Sequence, residues 1–160
     1  MLIEDYALIG DTHTAALVGR DGAIDWLCLP RFDSGACFAA LLGDREHGRW
    51  RVAPADETAR VERRYLPGTL VLETTFRTPT GTVRVLDVMP IRDRTPDVVR
   101  IVEGVEGVVD METDLVARFD YGSAIPWVRR LDGTLTLVAG PDALELAAEV
   151  PLDVVDRAVV

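Results

Sequence analysis

The chain has 160 residues, with 17 basic side chains against 27 acidic ones and hydrophobic residues at 48%. One core of this size buries about 68–70% of the unfolded chain's surface, so neither a disulfide nor a metal is needed for folding, and an acidic tail without structure is excluded. A formal charge of −10 argues against a nucleic-acid partner, because no run of consecutive cations exceeds an Arg pair such as Arg63 and Arg64 or Arg129 and Arg130. Every basic residue is Arg and none is Lys, as codon bias in a GC-rich genome would produce.

The first residues, Met1-Leu2-Ile3-Glu4-Asp5, carry acid where a secretory signal carries base, and no apolar run approaches the roughly 18 residues of a membrane helix. A cytoplasmic protein without membrane contact is expected. The two cysteines, Cys28 and Cys37, lack C-x-x-C spacing, and His13 and His47 lie far apart. Two buried thiols in a reducing compartment are expected, with no metal site.

In chain order the pattern is β throughout. Residues 13–20 and 23–29 are apolar-rich runs separated by Asp21-Gly22, the dipeptide that supplies the positive φ of a tight hairpin. Residues 36–42 break the period. They are rich in helix formers, follow Ser34 as a possible cap and stop at Gly43, which predicts one short helix or helical turn. Residues 69–78 and 82–89 around Pro79-Thr80-Gly81 predict a second hairpin, with Leu70, Leu72 and Phe76 on one face and Glu73 and Arg77 on the other. Residues 109–120 alternate strictly and predict one long strand with a wet face. Asp132-Gly133 predicts a hairpin joining residues 128–131 to 134–138, and residues 144–150 supply a last strand. About nine or ten strands with one small helix imply an antiparallel β-sandwich. Residues 1–150 are expected to form it, and residues 151–160 to begin a linker.

Three stretches carry a family resemblance. They are Ile3-Glu4-Asp5-Tyr6-Ala7-Leu8-Ile9-Gly10-Asp11, continuing through Asp21-Gly22-Ala23-Ile24-Asp25-Trp26 to Arg31-Phe32-Asp33-Ser34; Arg64-Tyr65-Leu66-Pro67-Gly68 with Leu86-Asp87-Val88-Met89-Pro90; and Arg118-Phe119-Asp120-Tyr121-Gly122 with Pro126-Trp127. Together they resemble the N-terminal β-sandwich of bacterial glycoside hydrolase family 15 proteins, the glucoamylase and trehalase-like enzymes. Gly35 and Ala23 depart from the pattern, which often has Pro and Ser there. The resemblance implies that the acid and base are two glutamates of an α/α barrel that follows the sandwich. That barrel has no counterpart in these 160 residues, so the resemblance implies a non-catalytic accessory domain whose partners are the barrel and its α-glucoside.

Inverting hydrolysis needs two carboxyl groups about 6.5–9.5 Å apart. Asp25 and Asp33 flank an aromatic segment, but Asp33 before Ser34 reads as a cap, and Asp25 as an ion-pair partner of an Arg. Asp87, among apolar neighbours, reads as a buried carboxylate bonded to a turn. Trp26 and Phe119 read as core. Tyr121 and Trp127 read as lying in the loop at residues 120–126, between strands, where docking explains a large aromatic better than the domain's own core does. Trp26, Arg31, Phe32, Asp33, Tyr121 and Trp127 are therefore the candidate contacts to substrate or catalytic domain, with no catalytic residue expected. Walker, G-x-G-x-x-G and G-x-S-x-G motifs are all missing, and no cofactor is expected. Two alternatives stay open. One is an independent carbohydrate-binding module; the other is an interaction domain that forms homo-oligomers.

Overall fold

A computed structural model describes residues 1–131 and 133–160. The chain is all-β and antiparallel, with fifteen strands and three single-turn 3-10 helices among the described residues. The first sheet runs β1 (Ala7–Gly10), β2 (Ala15–Val18), β3 (Ala23–Cys28), β5 (Arg49–Pro54), β10 (Met111–Val116), β15 (Ala158–Val159), β14 (Val154–Val155), with β4 (Ala36–Phe38) also pairing β3. The second runs β6 (Arg60–Tyr65), β7 (Leu72–Arg77), β8 (Gly81–Val88), β9 (Val99–Gly107). A third, smaller sheet runs β11 (Trp127–Leu131), β12 (Thr134–Ala139), β13 (Asp142–Leu146).

The first two sheets close face to face, as alternating apolar residues on both require. Val52 and Ala53 of β5 pack on Phe76, Val83 and Val85 of β7 and β8. A larger cluster joins Ile9, Ala16, Val18, Ile24, Leu27 and Phe38 to Leu72 and Met89, and the third sheet adds Leu135 and Leu137 to it.

Both leading hairpins form as the pattern predicts. The β2–β3 loop is residues 19–22, and Gly22 sits at φ +80° where a Cβ would come within 2.4 Å of the Val52 carbonyl oxygen. In the β7–β8 hairpin Arg77 stands opposite Thr82. Leu72 and Phe76 are buried, but Leu70 precedes the strand and is 50% exposed, so it does not share their face.

Other segments depart from the sequence pattern. Residues 36–42 do not form a helix: Ala36–Phe38 is a fully buried strand, and only Ala40–Leu42 makes a 3-10 turn. Burial against β3 decides this, because an apolar run covered on both sides gains more from sheet pairing than helix propensity offers. The long strand over residues 109–120 is shorter, Met111–Val116, and Phe119 beyond it makes an isolated bridge to Ala124. Trp127 opens β11 rather than lying in the preceding loop. Residues 151–160, expected as the start of a linker, carry β14 and β15, with Leu152, Ala158 and Val159 buried. Asp132 of the expected Asp132-Gly133 turn lies outside the described residues; β11 and β12 pair across it, Leu131 opposite Thr134.

Candidate functional site

Two surfaces gather most of the residues that the sequence singles out. The first is the outer face of β1–β3. Leu27 stands opposite Ala16 and Ala16 opposite Ile9, a row that faces the core. One position along, Trp26 stands opposite Leu17 and Leu17 opposite Leu8, so these three form a parallel row facing outward. Trp26 is thus not a core residue. A register shift between Leu17 and Val18 leaves Asp25 as the extra residue of a bulge, which lets Ile24 and Leu27 face the core although three positions apart. Cys28, Ala36 and Ala39 pack around the Trp26 ring on this face.

Tyr121 completes the row, its ring centroid 6.1 Å from that of Trp26 at a tilt of 42°. It does so in a left-handed conformation, φ +57°, directly after Asp120 at φ +50°. Two consecutive non-glycine residues in that region are strained, and strain that survives is held by its surroundings. Here the Tyr121 N–H donates to the Ala36 carbonyl at 3.3 Å, and Asp120 accepts from Ser123. The face ends where charge begins. Farther along the same sheet Asp114 takes Arg45 at 2.7 Å and Arg49 at 3.1 Å, and Arg51 reaches Glu112 at 3.7 Å. Although burial pushes the Asp114 carboxyl up, the hydrogen bonds from Arg45 and Arg49 outweigh it and hold it below the usual range.

The second surface is one end of the sandwich, where residues 11–14 and 30–34 meet Arg92. Asp11 is buried; its Oδ1 accepts from the His13 and Thr14 N–H groups at 3.0 and 2.9 Å, and its Oδ2 from Arg92 Nε. Burial alone would raise this carboxyl, but Arg92 and the two backbone donors bring it down to about 2. Arg92 Nη1 also donates to the Pro30 carbonyl at 2.6 Å. The Phe32 N–H donates to the His13 carbonyl at 3.1 Å, while its ring stands 64% exposed.

Arg31 and Asp33 pair with each other at 2.9 Å in solvent, so Asp33 does not cap the following turn. Asp25 likewise has another partner than expected: the Tyr6 hydroxyl donates to it at 2.7 Å, and burial raises its carboxyl. Asp87 is buried as expected, bonded not to a turn but to Arg100 at 2.7 Å, and it is Arg100 that reaches the Gly22 carbonyl of the β2–β3 turn. Each acidic group the sequence offers for chemistry is therefore bound to a partner. Trp127 stands apart on the third sheet, 71% exposed, with the Arg157 guanidinium 5.6 Å from its ring centroid. Neither Arg92 nor Asp11, which organise the second surface, is a site candidate in the sequence; their 81-residue separation carries no local signal. Among the described residues no group of three His, Cys, Asp or Glu side chains is disposed to hold a metal ion.

The outer face of β1–β3 thus carries an apolar row, and the acidic groups that the sequence singles out, Asp25, Asp33 and Asp87, are each held by a partner. The chain belongs to the trehalase-like, N-terminal family, which it matches over residues 1–156. It is 37% identical over 138 residues to a trehalase of Mycolicibacterium smegmatis, covering 74% of this chain and 20% of that relative. It is 33% identical to trehalase 1 of Sulfolobus acidocaldarius, covering 91% of this chain and 25% of the relative, and 31% identical to a trehalase of Thermoplasma volcanium, covering 94% and 25%. The chain thus spans a fifth to a quarter of the length of these relatives. No solved structure matches it. No helix among the described residues is long and apolar enough to cross a membrane.

Proposed function

We propose that the chain is the non-catalytic accessory and docking domain of an inverting α-glucoside hydrolase of the family 15 type, active on trehalose or a related glucoside, and that catalysis resides in an α/α barrel elsewhere in the polypeptide. The observation that carries this reading is the outward row of Leu8, Leu17 and Trp26, extended by Tyr121 in a strained conformation. A sheet face meant for water carries polar side chains, as the Asp114 side of the same sheet does with its Arg partners. Relatives named trehalase, of which this chain spans a fifth to a quarter, would supply the partner that covers the row. The two free thiols, both buried, fit a cytoplasmic protein.

The test replaces the matching segment of the Mycolicibacterium smegmatis trehalase with this chain. The hybrid is expected to hydrolyse trehalose and the isolated chain to be inactive. Trp26→Ser with Tyr121→Ser should leave the isolated chain folded and loosen the hybrid, seen as separate unfolding of its two parts. Hydrolysis by the isolated chain, or a hybrid indifferent to the pair of substitutions, sinks the reading. A homodimer of the isolated chain that buries Trp26 and Tyr121 would assign the face to self-association instead.

A further inference from the structure

The loop end of the sandwich has a different chemistry from the docking face. Its exposed group is an aromatic ring, Phe32, held on a backbone with little freedom. The Arg31 N–H donates to Ser34 Oγ at 3.2 Å, and the Ser34 N–H donates back to the Arg31 carbonyl at 3.1 Å, which closes the turn under the ring. The Phe32 N–H is tied to His13, and Thr12 beside it is held at φ +77°. Beneath them the buried Arg92–Asp11 pair clamps both loops. A fold that fixes an exposed aromatic from three directions has organised it in advance for contact, since ordering a free loop at the moment of binding costs conformational entropy.

What would bind there follows from charge. Arg31 is matched by Asp33 and Arg92 by Asp11, so the cluster presents no net charge of its own to an anion or a cation. Yet it is rich in hydrogen-bonding groups that face solvent, the His13 side chain and the Arg31–Asp33 pair. A ligand suited to this end is uncharged, carries oxygens that accept and donate, and has an apolar face for the ring. A pyranose has all three properties, with C–H groups on one face and hydroxyls around its rim.

We propose that residues 11–14 and 30–34, held from beneath by Arg92, form a binding site for a neutral hexopyranose unit, in which the ring stacks on Phe32 and its hydroxyls meet His13 and the Arg31–Asp33 pair. The proposal rests on reading the chain as part of an α-glucoside hydrolase, where it gives the domain a direct contact with the sugar. Its failure is separable, because docking is read from the outer face of β1–β3 and sugar binding from the opposite chemistry at the loop end.

The experiment titrates the isotopically labelled chain with trehalose, and in parallel with maltose and inorganic phosphate, and follows amide chemical shifts. Saturable shifts at His13, Phe32 and Ser34 are expected with the sugars and none with phosphate. Phe32→Ala, which touches no core residue, should weaken binding about tenfold or more. Trp127→Ala on the third sheet should leave it unchanged. Arg92→Lys keeps the charge opposite Asp11 while removing the bond to the Pro30 carbonyl that holds the Phe32 loop, and should weaken binding without unfolding the chain. No saturable shift with either sugar, shifts that survive Phe32→Ala or that map to Trp127, or saturable phosphate binding at the same amides would each overturn the site.

Discussion

Arg100 is the residue whose loss should cost this fold most. Its side chain is 2% exposed, and it pairs Asp87 at 2.7 Å, itself 1% exposed, while donating to the carbonyls of Trp50 at 2.6 Å and Gly22 at 2.7 Å. The guanidinium also lies over the Trp50 ring, 5.2 Å from its centroid. Asp87 and Arg100 belong to the second sheet, Trp50 to the first, and Gly22 to the first sheet's leading turn, so one side chain fastens the two layers. Arg100→Met keeps most of the volume but strands a buried carboxylate, an error worth about 3–5 kcal/mol. Against a stability of about 5–15 kcal/mol that is a large fraction. At about 2–4 °C per kcal/mol for a chain of this length, the melting temperature should fall by about 6–20 °C. Adding Asp87→Leu removes the stranded charge and places an apolar side chain opposite Leu72, so the double variant should recover about 1–3 kcal/mol. The residual loss belongs to the Trp50 and Gly22 carbonyls, each of which loses its bond from Arg100. Urea unfolding followed by circular dichroism, with the midpoint and slope fitted separately, distinguishes the variants. A single substitution within about 1 kcal/mol of the parent chain, or a double variant less stable than the single one, would refute the argument.

Three other outcomes are expected. Phe76→Ala should cost about 3–5 kcal/mol, because the ring is buried between Val52, Ala53, Val83 and Val85, and an unchanged melting point would contradict that packing. Asp11 has a folded pKa of about 2 against an ordinary 3.8, so its contribution, about 2 kcal/mol, is fully present above pH 3.8 and lost as pH falls toward 2. Asp11→Asn should flatten the acid limb of a stability–pH curve in that window, and an unaltered limb would count against the Arg92 clamp. Burial raises the Cys28 and Cys37 thiols, so both should resist iodoacetamide at neutral pH until the chain unfolds. Labelling of the native chain at the rate of a free thiol would be the contrary result.

Local pattern determined the hairpins, the all-β class and the family, because alternation and Asp-Gly or Pro-Thr-Gly turns act between neighbours a few residues apart. It did not reveal β9, whose apolar residues 101, 102 and 105 fail to alternate; a register shift between Thr82 and Val83 inserts an extra residue there and breaks the period. The same kind of break misdirected Trp26, since the bulge at Asp25 reverses which side of β3 faces the core. Helix propensity in residues 36–42 lost to burial, a quantity that depends on β3 lying alongside. The surfaces that carry the functional reading were decided by tertiary structure alone. Leu8, Leu17, Trp26 and Tyr121 meet through strand register and one strained turn, and Asp11 meets Arg92 across 81 residues of chain. Sequence could offer Phe32, Tyr121 and Trp127 as aromatics short of a core, but which of them are neighbours follows only once the sheets have closed, because side chains are brought together by pairing rather than by proximity along the chain.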